Sequence, residues 1–65
     1  MKYQELKQNG YKLVKTSLNR GYISRKIKEE DIDCSPYNGK YGNGYKVCKP
    51  NYESTNYMIV EYWIK

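Results

Sequence analysis

The sequence predicts an α+β fold, with a short N-terminal helix packed on an antiparallel sheet of about four strands. Three observations favour this class: a helical pattern in the first ten residues, β-branched and aromatic segments after it, and Gly-, Asn- and Pro-rich stretches between those segments. The length of 65 residues suits a single small domain, 1–65. A small all-β barrel is the alternative.

The N-terminal helix is predicted over residues 2–9. Tyr3 and Leu6 lie on one side of it, and Gly10 follows as a stop in the left-handed region. A helix this short is marginal in water, so it must pack on another element.

Two strands are predicted next. Residues 11–16 are β-branched and partly alternating, residues 17–21 read as a turn, and residues 22–27 read as a returning strand. Residues 29–33 suit one helical turn. Residues 34–44 are dense in turn formers and are predicted to be irregular, with type I′ turns at Asn38-Gly39 and Asn43-Gly44.

The last third carries the clearest strand signals. Residues 45–49 form a strand that Pro50 ends, and residues 56–64 form a long strand. One face of the long strand has no charge and is predicted to face the core, with Val47 and Ile23 opposite. That face is Met58, Val60, Tyr62 and Ile64. The other face, Tyr57, Ile59, Glu61 and Trp63, is expected to be partly exposed or covered by the helix edge.

The aromatic composition favours a binding protein over an enzyme. The chain has nine Tyr, one Trp, no Phe and no His. A buried Tyr hydroxyl needs a partner, so many ring tips are expected at the surface, where Tyr is enriched in contacts. The absence of His removes the commonest proton shuttle and metal ligand. We therefore expect no catalytic residue, no metal and no cofactor.

The charge is concentrated near the N-terminus. Residues 1–28 hold eight basic residues and one acidic residue, within a net charge of +5. Basic side chains can follow phosphates while rings stack on bases, so the sequence predicts contact with nucleic acid or with a host nucleoprotein complex. The candidate contact residues are Lys12, Lys15, Arg20, Tyr22, Arg25, Lys26, Tyr37 and Tyr41. Tyr11, Tyr45 and Tyr62 are instead interpreted as half-buried core rings.

Two other functions stay open. Short chains rich in Lys, Asn and Tyr are typical of phages and mobile elements, many of whose products inhibit a host defence protein, as anti-CRISPR proteins do. A small ribonuclease without His is the minor alternative. Residues 5–15 resemble the start of HicA-type RNases, but where that family has Gly-Ser-His this chain continues with Thr16-Ser17-Leu18, so the resemblance does not carry over a catalytic residue.

Cys34 and Cys48 enclose the Gly-rich stretch. A disulfide between them and two free thiols are both possible from the sequence, and free thiols are usual in a reducing compartment. With no signal-peptide pattern and no apolar run of membrane-spanning length, a cytoplasmic location and no membrane partner are expected.

Overall fold

A computed structural model describes all 65 residues. In chain order the elements are α1 (Glu5–Gln8), β1 (Lys12–Arg20), a 3-10 turn (Glu29–Asp31), β2 (Cys34–Gly39), β3 (Gly42–Lys49) and β4 (Tyr57–Ile64). The four strands form one open antiparallel sheet in the order β1-β4-β3-β2. The predicted α+β class and four-stranded sheet are confirmed, and the sheet does not close into a barrel.

The helix is shorter than predicted, but it ends where the sequence indicates. Gly10 follows it with φ of +84°, the left-handed conformation that the prediction required. The amides of Gly10 and Tyr11 donate to the carbonyls of Lys7 and Leu6, at 3.2 and 3.0 Å. Neither this helix nor the 3-10 turn has the length and apolar character needed to cross a lipid bilayer.

β1 runs four residues further than predicted. The residues expected to turn, 17–20, continue the strand because β4 pairs with them, Ser17 opposite Val60 and Arg20 opposite Tyr57. The chain leaves the sheet at Gly21, whose φ is +147°. Cross-strand pairing thus outweighs the weak local preference of these polar residues for a turn.

The predicted strand at residues 22–27 is wrong. This segment is irregular, with a turn at Arg25-Lys26 that the hydrogen bond from the Ile27 amide to the Ser24 carbonyl closes, at 3.2 Å. The segment belongs to the connection from the β1 edge of the sheet to the β2 edge, and Ile27 and Ile32 pack in the core on the way. Burial of those apolar side chains therefore replaces strand pairing as the source of stability here.

The Gly-rich stretch forms a hairpin, so both predicted Asn-Gly turns are wrong. β2 and β3 meet at a two-residue turn, Lys40-Tyr41, while Asn38 pairs with Asn43 inside the ladder. Pro36 is tolerated in β2 because an edge strand leaves one side of its backbone unpaired. Turn-forming residues here occupy ladder positions that the hairpin register dictates.

The core lies on one face of the sheet. Its buried cluster is Leu6, Ile32, Val47 and Trp63. The helix contributes one of these side chains, Leu6, which is fully buried. We call this side of the sheet, with Val47, Glu61 and Trp63 on it, the core face. The opposite side, with Tyr37, Lys46 and Tyr62, is the tyrosine face.

The assignment of the β4 faces requires correction. The buried core cluster lies against the set that contains Glu61 and Trp63, whereas the uncharged set faces the other way. Val47 is buried as predicted, but it pairs with Glu61. Of the uncharged set only Val60 is fully buried, between its cross-strand neighbours Ser17 and Cys48. The prediction failed because the Glu61 carboxylate finds partners within the fold.

Candidate nucleic-acid interface

The tyrosine face is built by the register of four strands. Tyr62 in β4 is directly opposite Lys15 in β1 and Lys46 in β3. Residues directly opposite each other in an antiparallel ladder point to the same face. The pairing therefore places an aromatic ring between two lysine side chains, in the middle of the sheet.

Three tyrosine rings contact one another on this face. The centroid of Tyr62 lies 4.9 Å from that of Tyr37 and 5.0 Å from that of Tyr41, and the Tyr37 and Tyr41 rings are 6.4 Å apart and nearly parallel, at 29°. The Tyr41 amide also donates to the Tyr37 hydroxyl, at 3.3 Å. All three rings are half-buried. We call Tyr37, Tyr41 and Tyr62 the tyrosine triad.

Two glycines provide the room that the triad occupies. The Tyr37 ring lies over Gly39, where a Cβ atom would be 2.8 Å from the Tyr37 hydroxyl oxygen. Gly44 is opposite Tyr37 in the ladder, and a Cβ atom on it would collide with the carbonyl oxygen of Trp63. These glycines thus allow close packing of strands and rings, which differs from the turn-forming role predicted for them.

The charges on the tyrosine face are all positive. Lys12 also points to this face, because it is opposite Ile64, and the Lys40 ammonium lies 5.6 Å from the centre of the Tyr41 ring. The strand residues on this face are Lys12, Lys15, Ser17, Asn19, Ser35, Tyr37, Gly39, Gly42, Gly44, Lys46, Cys48, Met58, Val60, Tyr62 and Ile64. None of them is acidic. The triad together with Lys12, Lys15, Lys40 and Lys46 is the tyrosine–lysine patch.

The lysines of the patch have no ion-pair partners in the fold. The two salt bridges of the protein lie elsewhere, between Lys2 and Asp33 at 2.7 Å and between Lys49 and Glu61 at 3.2 Å. Lys12, Lys15 and Lys40 are exposed and Lys46 is half-buried. Their charges are therefore available to an anionic ligand.

Four of the eight predicted contact residues belong to this patch. They are Lys12, Lys15, Tyr37 and Tyr41. The other four lie apart from it, since the strand that was to carry three of them does not form. Arg20 places its guanidinium 5.5 Å from the Tyr57 ring on the core side of the sheet, and Tyr22 lies in the connection after β1. Arg25 donates from Nε to the Asn51 carbonyl at 3.3 Å, and Lys26 is in the turn.

The sequence prediction missed three residues of the patch, Lys40, Lys46 and Tyr62. Tyr11 and Tyr45 are partly buried against the core cluster as predicted, with their rings 5.4 Å apart. Tyr62 is also half-buried, but it joins the triad on the other face. The alternation of side chains along β4 predicts that Tyr62 and Ile64 share a face. Only the strand order shows that Lys46 and Tyr37 lie beside Tyr62.

The core face holds a second polar cluster, in which every partner is internal. Lys49 donates to Glu61 Oε2 at 3.2 Å and to the Tyr3 hydroxyl at 3.1 Å, and the Trp63 indole N–H donates to Glu61 Oε1 at 2.9 Å. Burial raises the pKa of Tyr3. Burial lowers the pKa of Lys49, but its bonds to Tyr3 and Glu61 outweigh this and leave that pKa raised. Such a satisfied network stabilises the fold.

Two further features of the surface lie outside the patch, a pocket and an acidic run. A pocket of about 290 Å³ is lined by Tyr3, Gln4, Lys7, Gln8, Glu29 and Trp63. Its two aromatic residues already bond within the Glu61 network. The acidic run forms the predicted helical turn at Glu29–Asp31, and no three His, Cys, Asp or Glu side chains are grouped so as to hold a metal ion.

No protein-family model matches the chain. No curated protein and no solved structure matches it at a significant level.

Proposed function

We propose that this chain is a small non-enzymatic binding module whose tyrosine–lysine patch contacts single-stranded nucleic acid, free or within a nucleoprotein complex. The observation that carries the proposal is the tyrosine triad, set among four lysines on a sheet face to which no acidic strand residue points. Rings supply stacking surfaces for bases, and ammonium groups supply charge for phosphates.

The arrangement favours single strands over duplexes. A base must leave its stack before it can lie on a tyrosine ring, and a duplex keeps its bases stacked. The patch lies largely on a sheet face, which is too broad to enter a groove, and only its two residues at the hairpin tip, Lys40 and Tyr41, could do so. Phosphates on either side of a stacked base would meet Lys15 and Lys46, the two residues opposite Tyr62.

The proposal also includes the packing of α1, the location of the protein and its origin. Packing of α1 as a whole on the sheet is supported by the burial of Leu6 in the core cluster. A cytoplasmic location and an origin in a phage or mobile element are supported by composition alone. Both agree with a partner that is nucleic acid or a host complex that handles it.

The test is binding of a fluorescent oligothymidine to the purified protein at several salt concentrations. Tyr41→Ala should weaken binding about 5- to 100-fold at every salt concentration, because stacking contributes ~1–3 kcal/mol per base. Lys15→Ala should reduce the slope of log affinity against log salt by about one, because each phosphate contact releases roughly one counterion.

Matched controls separate the patch from general charge and aromaticity. Tyr52 is 68% exposed and lies outside the patch, and Lys7 is exposed on α1. Tyr52→Ala and Lys7→Ala should therefore leave affinity and salt slope nearly unchanged. If all four variants behave alike, the patch is not the binding site. If no oligonucleotide binds at low salt while a host protein co-purifies after nuclease treatment, the inhibitor alternative replaces this proposal.

A further inference from the structure

The two edges of the sheet differ in how they are covered. At the β2 edge the Cys34 amide donates to the Met1 carbonyl at 3.3 Å, and Pro36 has no N–H to offer. β1, at the other edge, is a nine-residue strand that pairs only with β4. An uncovered edge strand presents backbone donors and acceptors to any extended chain that can approach it.

The β1 edge also exposes apolar side chains. Leu13, Val14 and Leu18 are 46%, 49% and 61% exposed. The register puts Leu13 and Leu18 on the core face and Lys12 and Lys15 on the tyrosine face. The edge strand is therefore two-sided, with the leucines and Arg20 on one side and the lysines on the other.

We propose that the outer edge of β1 binds an extended segment of a partner protein in which acidic and apolar residues alternate. The segment adds a fifth strand to the sheet, by the pairing that β-strand addition uses. Alternation is required because successive side chains of a strand point to opposite faces. The acidic residues then lie beside Lys12 and Lys15, and the apolar residues lie beside Leu13 and Leu18.

Charge excludes a second copy of this chain as the preferred occupant. β1 contains Lys12, Lys15 and Arg20 and no acidic residue. Pairing of β1 with itself, in any register, sets cations opposite cations or neutral residues and never opposite an anion, and like charges directly opposite are destabilising. The bulge between Leu13 and Lys15 further interrupts self-pairing.

The regular part of the strand is long enough for the proposed pairing. From Lys15 to Arg20 the register with β4 has no irregularity. That segment contains one cation on the tyrosine face, Lys15, and one exposed leucine on the core face, Leu18. This inference stands apart from the proposed function, although Lys12 and Lys15 belong to both surfaces.

The experiment uses a fluorescent ten-residue peptide in which Glu and Val alternate. Two matched peptides accompany it, one with Lys in place of every Glu and one with Pro in place of two central Val residues. We expect the first peptide alone to bind, with slowed hydrogen exchange of backbone amides within residues 15–20. Lys15→Glu should weaken its binding about fivefold or more and Leu18→Ser about threefold, as expected for cross-strand pairs.

Circular dichroism of each variant reports whether the fold is retained, and both positions are exposed, so both substitutions should be tolerated. Leu18→Ser should leave oligothymidine binding unchanged, which distinguishes this edge from the tyrosine–lysine patch. The proposal is overturned if the Lys peptide or the Pro peptide binds as well as the Glu peptide. It is also overturned if none binds, or if sedimentation shows that the free protein is a dimer that Leu18→Ser dissociates.

Discussion

The two faces of the sheet carry the same kinds of residue but use them in opposite ways. On the core face Lys49, Glu61 and Trp63 bond to one another, and the aromatic ring is 4% exposed. On the tyrosine face Lys15 and Lys46 lie beside Tyr62 without any acidic partner. The difference teaches that composition alone does not assign a role to Lys and aromatic residues. A role follows from whether their polar groups already have partners.

The largest difference in stability between the two faces should appear when one aromatic residue on each face is replaced by alanine. Trp63→Ala should lower the free energy of unfolding by about 3–5 kcal/mol, because it leaves a cavity in the core and removes a hydrogen bond from Glu61. This approaches the whole stability expected of so small a domain, about 5 kcal/mol. Tyr62→Ala, one residue away, should cost about half as much or less and should mainly reduce oligonucleotide binding. Urea unfolding and binding titrations measure the two losses.

If Tyr62→Ala destabilises the fold as much as Trp63→Ala, the two faces are equal parts of one core. The tyrosine triad would then be a packing feature, and the comparison would fail.

A smaller effect is expected at Gly44, where the backbones of β3 and β4 approach each other closely. Gly44→Ala places a methyl group on the tyrosine face against the Trp63 carbonyl, so backbone must move. We expect a loss of about 1–3 kcal/mol in urea unfolding. Asn43→Ala, at the neighbouring exposed position on the other face, is the control and should change stability by less than about 0.5 kcal/mol. Equal losses at both positions would show that the strands have more room than this register allows.

The smallest effect is a loss of stability at high pH to which the Lys49 network on the core face contributes. The pKa values of Lys49 and Tyr3 are raised above 10.5 and 10.0. Their contribution is thus complete below about pH 10 and is lost as the pH rises through the raised values. It should amount to about 1 kcal/mol or less, because both groups are only partly buried.

Thermal unfolding between pH 8 and 11 tests this expectation. Lys49→Met should lower stability at neutral pH and flatten its decline in alkali. Lys46→Met, in the same strand on the tyrosine face, should leave the decline as it is. A decline that Lys49→Met does not alter would place its cause outside this network.

The sequence predicted those parts of the fold that depend on local signals. Gly10 ends the helix, Pro50 follows the end of β3, and β4 lies within one residue of its predicted bounds. The hairpin at Lys40-Tyr41 was not predicted, because Asn38 and Gly39 favour turns and only their ladder partners keep them extended. Local preference gave way wherever pairing between distant strands decided the conformation.

Four of the seven residues of the candidate site were predicted, and the other three were not, for the same reason. Lys12, Lys15, Tyr37 and Tyr41 carry local signals, being basic or aromatic residues in a strand or near Gly-rich sequence. Lys46 and Tyr62 join them only through the strand order, which a single sequence does not reveal. Lys40 joins them through the hairpin turn between β2 and β3, which was not predicted.

The positions of the two cysteines have a practical consequence. Cys34 is opposite Val47, and Cys48 is the next residue after Val47, so the two thiols point to opposite faces of the sheet and remain free. The Gly-rich hairpin therefore needs no covalent closure, and oxidation would join separate molecules in place of closing a loop. A probe attached to Cys34 reports on the core face, and one attached to Cys48 reports on the tyrosine face. Two single-cysteine variants thus give each surface its own spectroscopic signal within one small protein.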